Sequence, residues 1–137
     1  MPNFFAAAQR HLDDGDLLHT NSRDVSAVQL WGYGAECVLK AIALKQNTFA
    51  LSASGRPTGG FDLHVNQARN GQTLISLYNA TQSGANPLVA PTSAFFGWTI
   101  HERYEDGSNL APSATYAADA LKFRSLLVDA IAQGVLP

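Results

Sequence analysis

The sequence predicts an all-α fold, a single up-and-down bundle of about five helices, and three observations lead there. Apolar residues recur at steps of three and four over long stretches, which is the period of a helix with one buried face. Sustained period-two alternation, the mark of half-buried strands, is missing. Two biased stretches, SASGRPTGG at 52–60 and SGANPLVAPT at 83–92, read as loops that separate helical blocks. The chain has 137 residues, the size of one domain with one core.

Taken in order, the first block at 3–20 places Phe5, Ala8, Leu12, Gly15 and Leu18 on one face, with Asp13, Asp14 and Asp16 turned outward. Ser22 is the expected N-cap of the second block, 23–46. That block carries two neighbouring apolar stripes, Val28, Trp31, Ala35, Val38 and Ile42 beside Leu30, Gly34, Cys37, Ala41 and Leu44. An apolar arc this wide predicts the central helix. Gly32, Gly34 and Ala35 fill little space and point to close approach of another helix. Its third stripe, Gln29, Tyr33, Glu36 and Lys40, faces water, a partner or a site. A third helix is expected over 61–80, weakened at Asn70-Gly71, and a fourth from Thr92 through Phe95, Phe96, Trp98 and Ile100 to Tyr104. The last begins near Pro112 or Ser113, carries Tyr116, Ala120, Phe123, Leu127 and Ile131 on one face, and stops at Gly134.

Composition excludes several function classes. Hydrophobic residues make up 46% and charged residues 15%, which rules out disorder, and no apolar run approaches the about 20 residues of a membrane span. A net charge of −2, spread evenly along the chain, supplies no general field for nucleic acid, so any RNA contact is local. The lone Cys37 cannot form an internal disulfide, and the start MPNFFAAAQRHLDDGD lacks the pattern of a secretory signal; a cytoplasmic address is expected. His11, His19, His64 and His101 have no ligand spacing, so no metal is expected, and neither a nucleophile elbow nor a phosphate-cradling P-loop motif is present. Cys37 lies in an apolar stripe and reads as a small buried hydrophobe.

The order RHLDDGDLL, AVQLWGYGAECVLKAIALK, FDLHVNQA and WTIHERY resembles the HEPN family, the nucleotide-binding domains of higher eukaryotes and prokaryotes. Arg10, His11, Leu12, Asp14, Leu17 and Leu18 match the family's first-helix pattern. Ala27, Leu30, Gly32, Tyr33, Ala35, Glu36, Leu39, Lys40 and Ala41 match the more specific second-helix pattern. The resemblance implies a small helical bundle, a homodimer, and a nucleotide, RNA or nucleotidyltransferase-type partner in a toxin-antitoxin-like setting. Phe4, Phe95, Phe96 and Trp98 supply aromatic surface for such a dimer. Family members that cleave RNA carry Arg followed after four to six residues by His. Here the nearest spacing, Arg56 to His64, has seven residues between, and His101-Glu102-Arg103 reverses the order. The expectation is therefore a binding module without cofactor; the alternative is a metal-independent ribonuclease with a displaced catalytic set.

Six residues are the candidate site. Glu36 and Lys40 stand one helical turn apart in the favourable order for an ion pair, which serves either a ligand or simply an exposed helix. His64 suits a general base, a phosphate ligand or a capping group, because imidazoles titrate near neutral pH. His101, Arg103 and Tyr104 put an imidazole, a guanidinium and a phenol within four residues, which serves either to bind phosphate and stack on a base or, equally, to pack Tyr104 in the core and pair Arg103 with Glu36 or an acidic neighbour.

Overall fold

The computed structural model of this chain describes residues 1–65, 67–91, 107, 108 and 110–137. Among them the architecture is mostly helical. α1 spans Phe4–Thr20, α2 Asp24–Lys45, α3 Leu74–Thr81 and α4 Ser113–Ala132; a short hairpin of β1 (Ala68–Arg69) and β2 (Gln72–Thr73) precedes α3. No described helix is long and apolar enough to cross a membrane. The helix expected from Thr92 to Tyr104 lies outside the described residues, and with it His101, Arg103, Tyr104, Phe95, Phe96 and Trp98.

The central position of α2 follows from its wide apolar arc. Thirteen of its 22 residues are buried, against seven of 20 in α4, and Trp31, Ala35, Val38 and Ile42 are at most 1% exposed. α1 lies along it at close range. A Cβ on Gly15 would stand 2.4 Å from Cδ1 of Trp31, and one on Gly34 would stand 2.8 Å from the Leu12 side chain and 3.3 Å from its backbone nitrogen. Glycine is thus needed on both helices for the backbones to meet. Asp16, expected to face outward, instead accepts the Trp31 indole N–H at 2.9 Å and an Arg124 hydrogen bond at 2.7 Å, tying α1 to both α2 and α4. On α4, Tyr116, Ala120, Phe123 and Leu127 are buried as expected, whereas Ile131 is more than a third exposed.

Ser22 is not the N-cap of α2. The cap position is Arg23, without a side-chain bond, and Ser22 is the left-handed residue that ends α1 (φ 58°). Its N–H bonds to His19 O, and Arg23 N–H to Leu18 O, the paired pattern of a Schellman stop. Asn47 (φ 58°) ends α2 and Gly134 (φ 73°) ends α4 in the same way. Capping needs extended backbone at the cap residue, and in a three-residue link between helices Ser22 is taken up by the left-handed turn that ends α1.

The expected helix over 61–80 is also corrected. Asn70 and Gly71 both take positive φ (54° and 77°), the requirement of a type I′ turn, and pair Ala68 with Thr73 and Arg69 with Gln72. Strands of two residues are too short to show alternation, so only the Asn-Gly pair signalled the turn. α3 starts after it through a Thr73–Ser76 capping box, and the Tyr78 hydroxyl donates to Leu88 O, fastening the following segment. Upstream, residues 47–65 form an irregular strap braced by a Leu51–Pro57 bridge and by Thr58, whose N–H donates to Ala50 O. Phe61, Leu63 and Val65 are buried in the core, leaving Asp62 and His64 for polar partners.

Candidate functional site

The third stripe of α2 faces neither open water nor a simple core. Tyr33, Glu36 and Lys40 stand at i, i+3 and i+7, a spacing that puts all three on one face. That face is closed by Phe4 and His11 of α1 and by His64. Lys40 Nζ donates to Glu36 Oε1 at 2.6 Å, and His64 Nδ1 donates to Glu36 Oε2 at 3.0 Å. The ion pair expected to be exposed is buried: Glu36 is 9% and Lys40 5% accessible. The Phe4 ring covers the ammonium, its centroid 5.9 Å from Nζ, and Phe4 itself packs edge-on against Phe49. This aromatic, expected at a dimer surface, is thus half-buried within one chain.

Burial pushes the Glu36 carboxyl upward, but the His64 hydrogen bond together with the charge and hydrogen bond of Lys40 outweighs it and holds the group below its ordinary 4.5. Because a carboxylate only accepts, its bond fixes the His64 proton on Nδ1 and leaves Nε2 as the acceptor of the neutral ring. A closed turn, His64 N–H to Gln67 Oε1 and Gln67 N–H to His64 O, steadies the backbone there.

Sequence reasoning left His11 out of the site, although Arg10-His11-Leu12 was the signal available. His11 packs its ring 5.7 Å from that of Tyr33, and Gln29 Nε2 donates to the Tyr33 hydroxyl at 3.0 Å. The His11 Nδ1 is buried and has no hydrogen-bond partner among the described residues. Burial first, and the Arg10 charge second, lower its pKa below 6.5 against Asp14 and Glu36, so the neutral ring is favoured. Cys37, one position beyond Glu36, is half-buried; burial and the Glu36 charge raise its thiol to about 12, which removes it as a nucleophile. No cluster of three metal-ligating side chains exists among the described residues.

Of the six candidates, Glu36, Lys40 and His64 come together; His101, Arg103 and Tyr104 lie outside the described residues. Next to this seam, Phe4 also lines a cleft of about 370 Å³ with Asn3, Phe5, Ala41 and Lys45. No family model, curated protein or solved structure matches the chain.

Proposed function

We propose that the chain is a HEPN-like binding module: a cytoplasmic homodimer of five-helix bundles that holds a nucleotide, an RNA end or a nucleotidyltransferase-type partner in a toxin-antitoxin-like pairing. The observation that carries this reading is the convergence of the two segments on which the resemblance rests. His11 of α1 and Tyr33, Glu36 and Lys40 of α2 meet in one seam, joined there by His64. Within it Glu36 is occupied by two donors, whereas a buried imidazole nitrogen of His11 has nothing to bond among the described residues. An unmet buried polar atom costs about 1–3 kcal/mol, which a ligand hydrogen bond recovers. Arg103 and Tyr104 complete the phosphate-binding set in this proposal.

The test is an NMR titration of the protein with adenosine nucleotides and short RNA. Shifts centred on residues 10, 11, 33 and 64, lost in His11→Asn, support the module; no saturable shifts at any of these positions sink it.

The ribonuclease alternative has one observation in its favour. Glu36 orients His64 through Nδ1 and leaves Nε2 as the basic nitrogen, the arrangement of a carboxylate-assisted general base. Incubation of the protein with mixed RNA separates the two: the binding reading expects no cleavage, and cleavage that vanishes in His64→Ala or Arg103→Ala establishes the enzyme.

A further inference from the structure

A second polar cluster stands on the strap, built on a different carboxylate. Arg56 Nη2 donates to Asp62 Oδ2 at 2.8 Å, and Arg69 donates from Nη1 to Oδ1 at 3.0 Å and from Nη2 to Oδ2 at 3.4 Å. Asp62 is sheltered, its side chain 13% exposed, while Arg56 and Arg69 are 71% and 50% exposed. One carboxylate therefore gathers two guanidiniums, leaving a local excess of one positive charge on a chain whose total is −2. Each guanidinium has five N–H donors in a planar fork, so these three bonds leave most of them directed elsewhere.

Stability does not account for the arrangement. Exposed ion pairs contribute little, and one arginine would neutralise Asp62. The second brings a like charge against the first, a cost that is offset when an anion with more than one oxygen arrives between them. The scaffold is also fixed in advance. Arg56 leaves a turn closed by the Leu51–Pro57 bridge, Arg69 sits on β1 of the Asn70-Gly71 hairpin, and Asp62 stands between the buried anchors Phe61 and Leu63. Three braced backbone positions hold the two forks over one carboxylate, the preorganisation that tight recognition of a small anion requires.

We infer that Arg56 and Arg69, positioned by Asp62, form a clamp for a phosphate group, a site separate from the α1–α2 seam and independent of the function proposed for it. Asp62 and His64 are two residues apart, so their Cα atoms lie within about 7 Å of one another. A phosphate in the clamp is consequently close to the exposed edge of the seam. Two sources share this chemistry, free phosphate compounds and the backbone of RNA.

The experiment uses inorganic pyrophosphate, followed by calorimetry, and a fluorescein-labelled oligouridylate, followed by anisotropy, on the full chain. Binding of either probe is expected to weaken about tenfold in Arg56→Ala and in Arg69→Ala, with only partial rescue by Arg→Lys, which keeps the charge but loses the fork. Asp62→Asn separates a clamp from mere positive charge. It adds a net positive charge, so simple attraction tightens binding, whereas loss of positioning weakens it. His11→Asn leaves this binding unchanged, which keeps the outcome distinct from that of the seam. Weakening with both probes assigns free phosphate as sufficient; weakening with the oligouridylate alone assigns the RNA backbone. Failure of the parent to bind either probe, unchanged affinity in both alanine variants, or tighter binding by Asp62→Asn overturns the inference.

Discussion

Glu36 and Asp62 are both carboxylates held by two donor side chains and are themselves almost equally sheltered, at 12% and 13% side-chain exposure, yet their cationic partners sit at opposite extremes of accessibility. Glu36 lies in the α1–α2 seam with a Lys40 side chain only 6% exposed, and Asp62 lies on the strap under two arginines that are mostly in water. The hydrogen-bond chemistry is alike, and the difference in solvent decides the rest. Around Glu36 the loss of the buried Lys40 ammonium leaves a sheltered charge uncompensated, so the network is tied to folding. Around Asp62 water and counterions already reach both guanidiniums, so these are free to exchange partners and suit recognition. A pair of distances near 3 Å therefore says little about energy until burial is known.

The strongest way to break the comparison is Lys40→Met. It removes the ammonium and leaves Glu36 buried with His64 alone, and a loss of about 3 kcal/mol is expected in urea unfolding. Adding Glu36→Gln to this variant should restore part of the loss, because no buried charge then remains unpaired. A double mutant no more stable than Lys40→Met would show that the lysine acts through packing on Phe4.

The seam that shelters Glu36 depends on the glycine contacts between its helices. Gly15→Val drives a branched side chain into Trp31, whose indole is held by Asp16, and should cost about 2 kcal/mol with a change in tryptophan fluorescence. Gly59, on the strap, has a φ of 64°, and a Cβ added there would meet nothing within 4 Å among the described residues. Gly59→Ala should accordingly cost only the left-handed strain, about 1 kcal/mol.

Acid unfolding sharpens the contrast further. The pKa of Glu36 in the folded chain lies below its ordinary 4.5, so its contribution is complete above that pH and is lost as pH falls through the folded value. Asp62 behaves with the same sign: hydrogen bonds from Arg69 and Arg56 hold it at about 2 against an ordinary 3.8, and its contribution fades between those values. Stability curves against pH should show that added salt flattens the Asp62 limb and leaves the Glu36 limb, and that Glu36→Gln removes the latter. The smallest effect is expected from Arg69→Ala, at most about 1 kcal/mol in thermal melting at moderate salt. A larger loss would place the strap's ion pairs among the groups that hold the fold.

By itself the sequence determined where α1, α2 and α4 run, which of them is central, and that Glu36 and Lys40 are neighbours, because helical periodicity and one-turn spacing are local quantities. It also marked Gly34 as a point of close approach. Only the tertiary structure decided that the Glu36–Lys40 pair is buried, that His64 joins it from 28 residues away, and that His11 faces the same seam. It likewise decided that Ser22 ends one helix instead of starting the next, and that Arg56, Asp62 and Arg69 meet. Periodicity reports which side of a helix is apolar, but not what packs over its polar side. That depends on the path of the strap, which is set by Phe61, Leu63 and Val65 finding the core and not by any pattern local to the polar residues they carry with them.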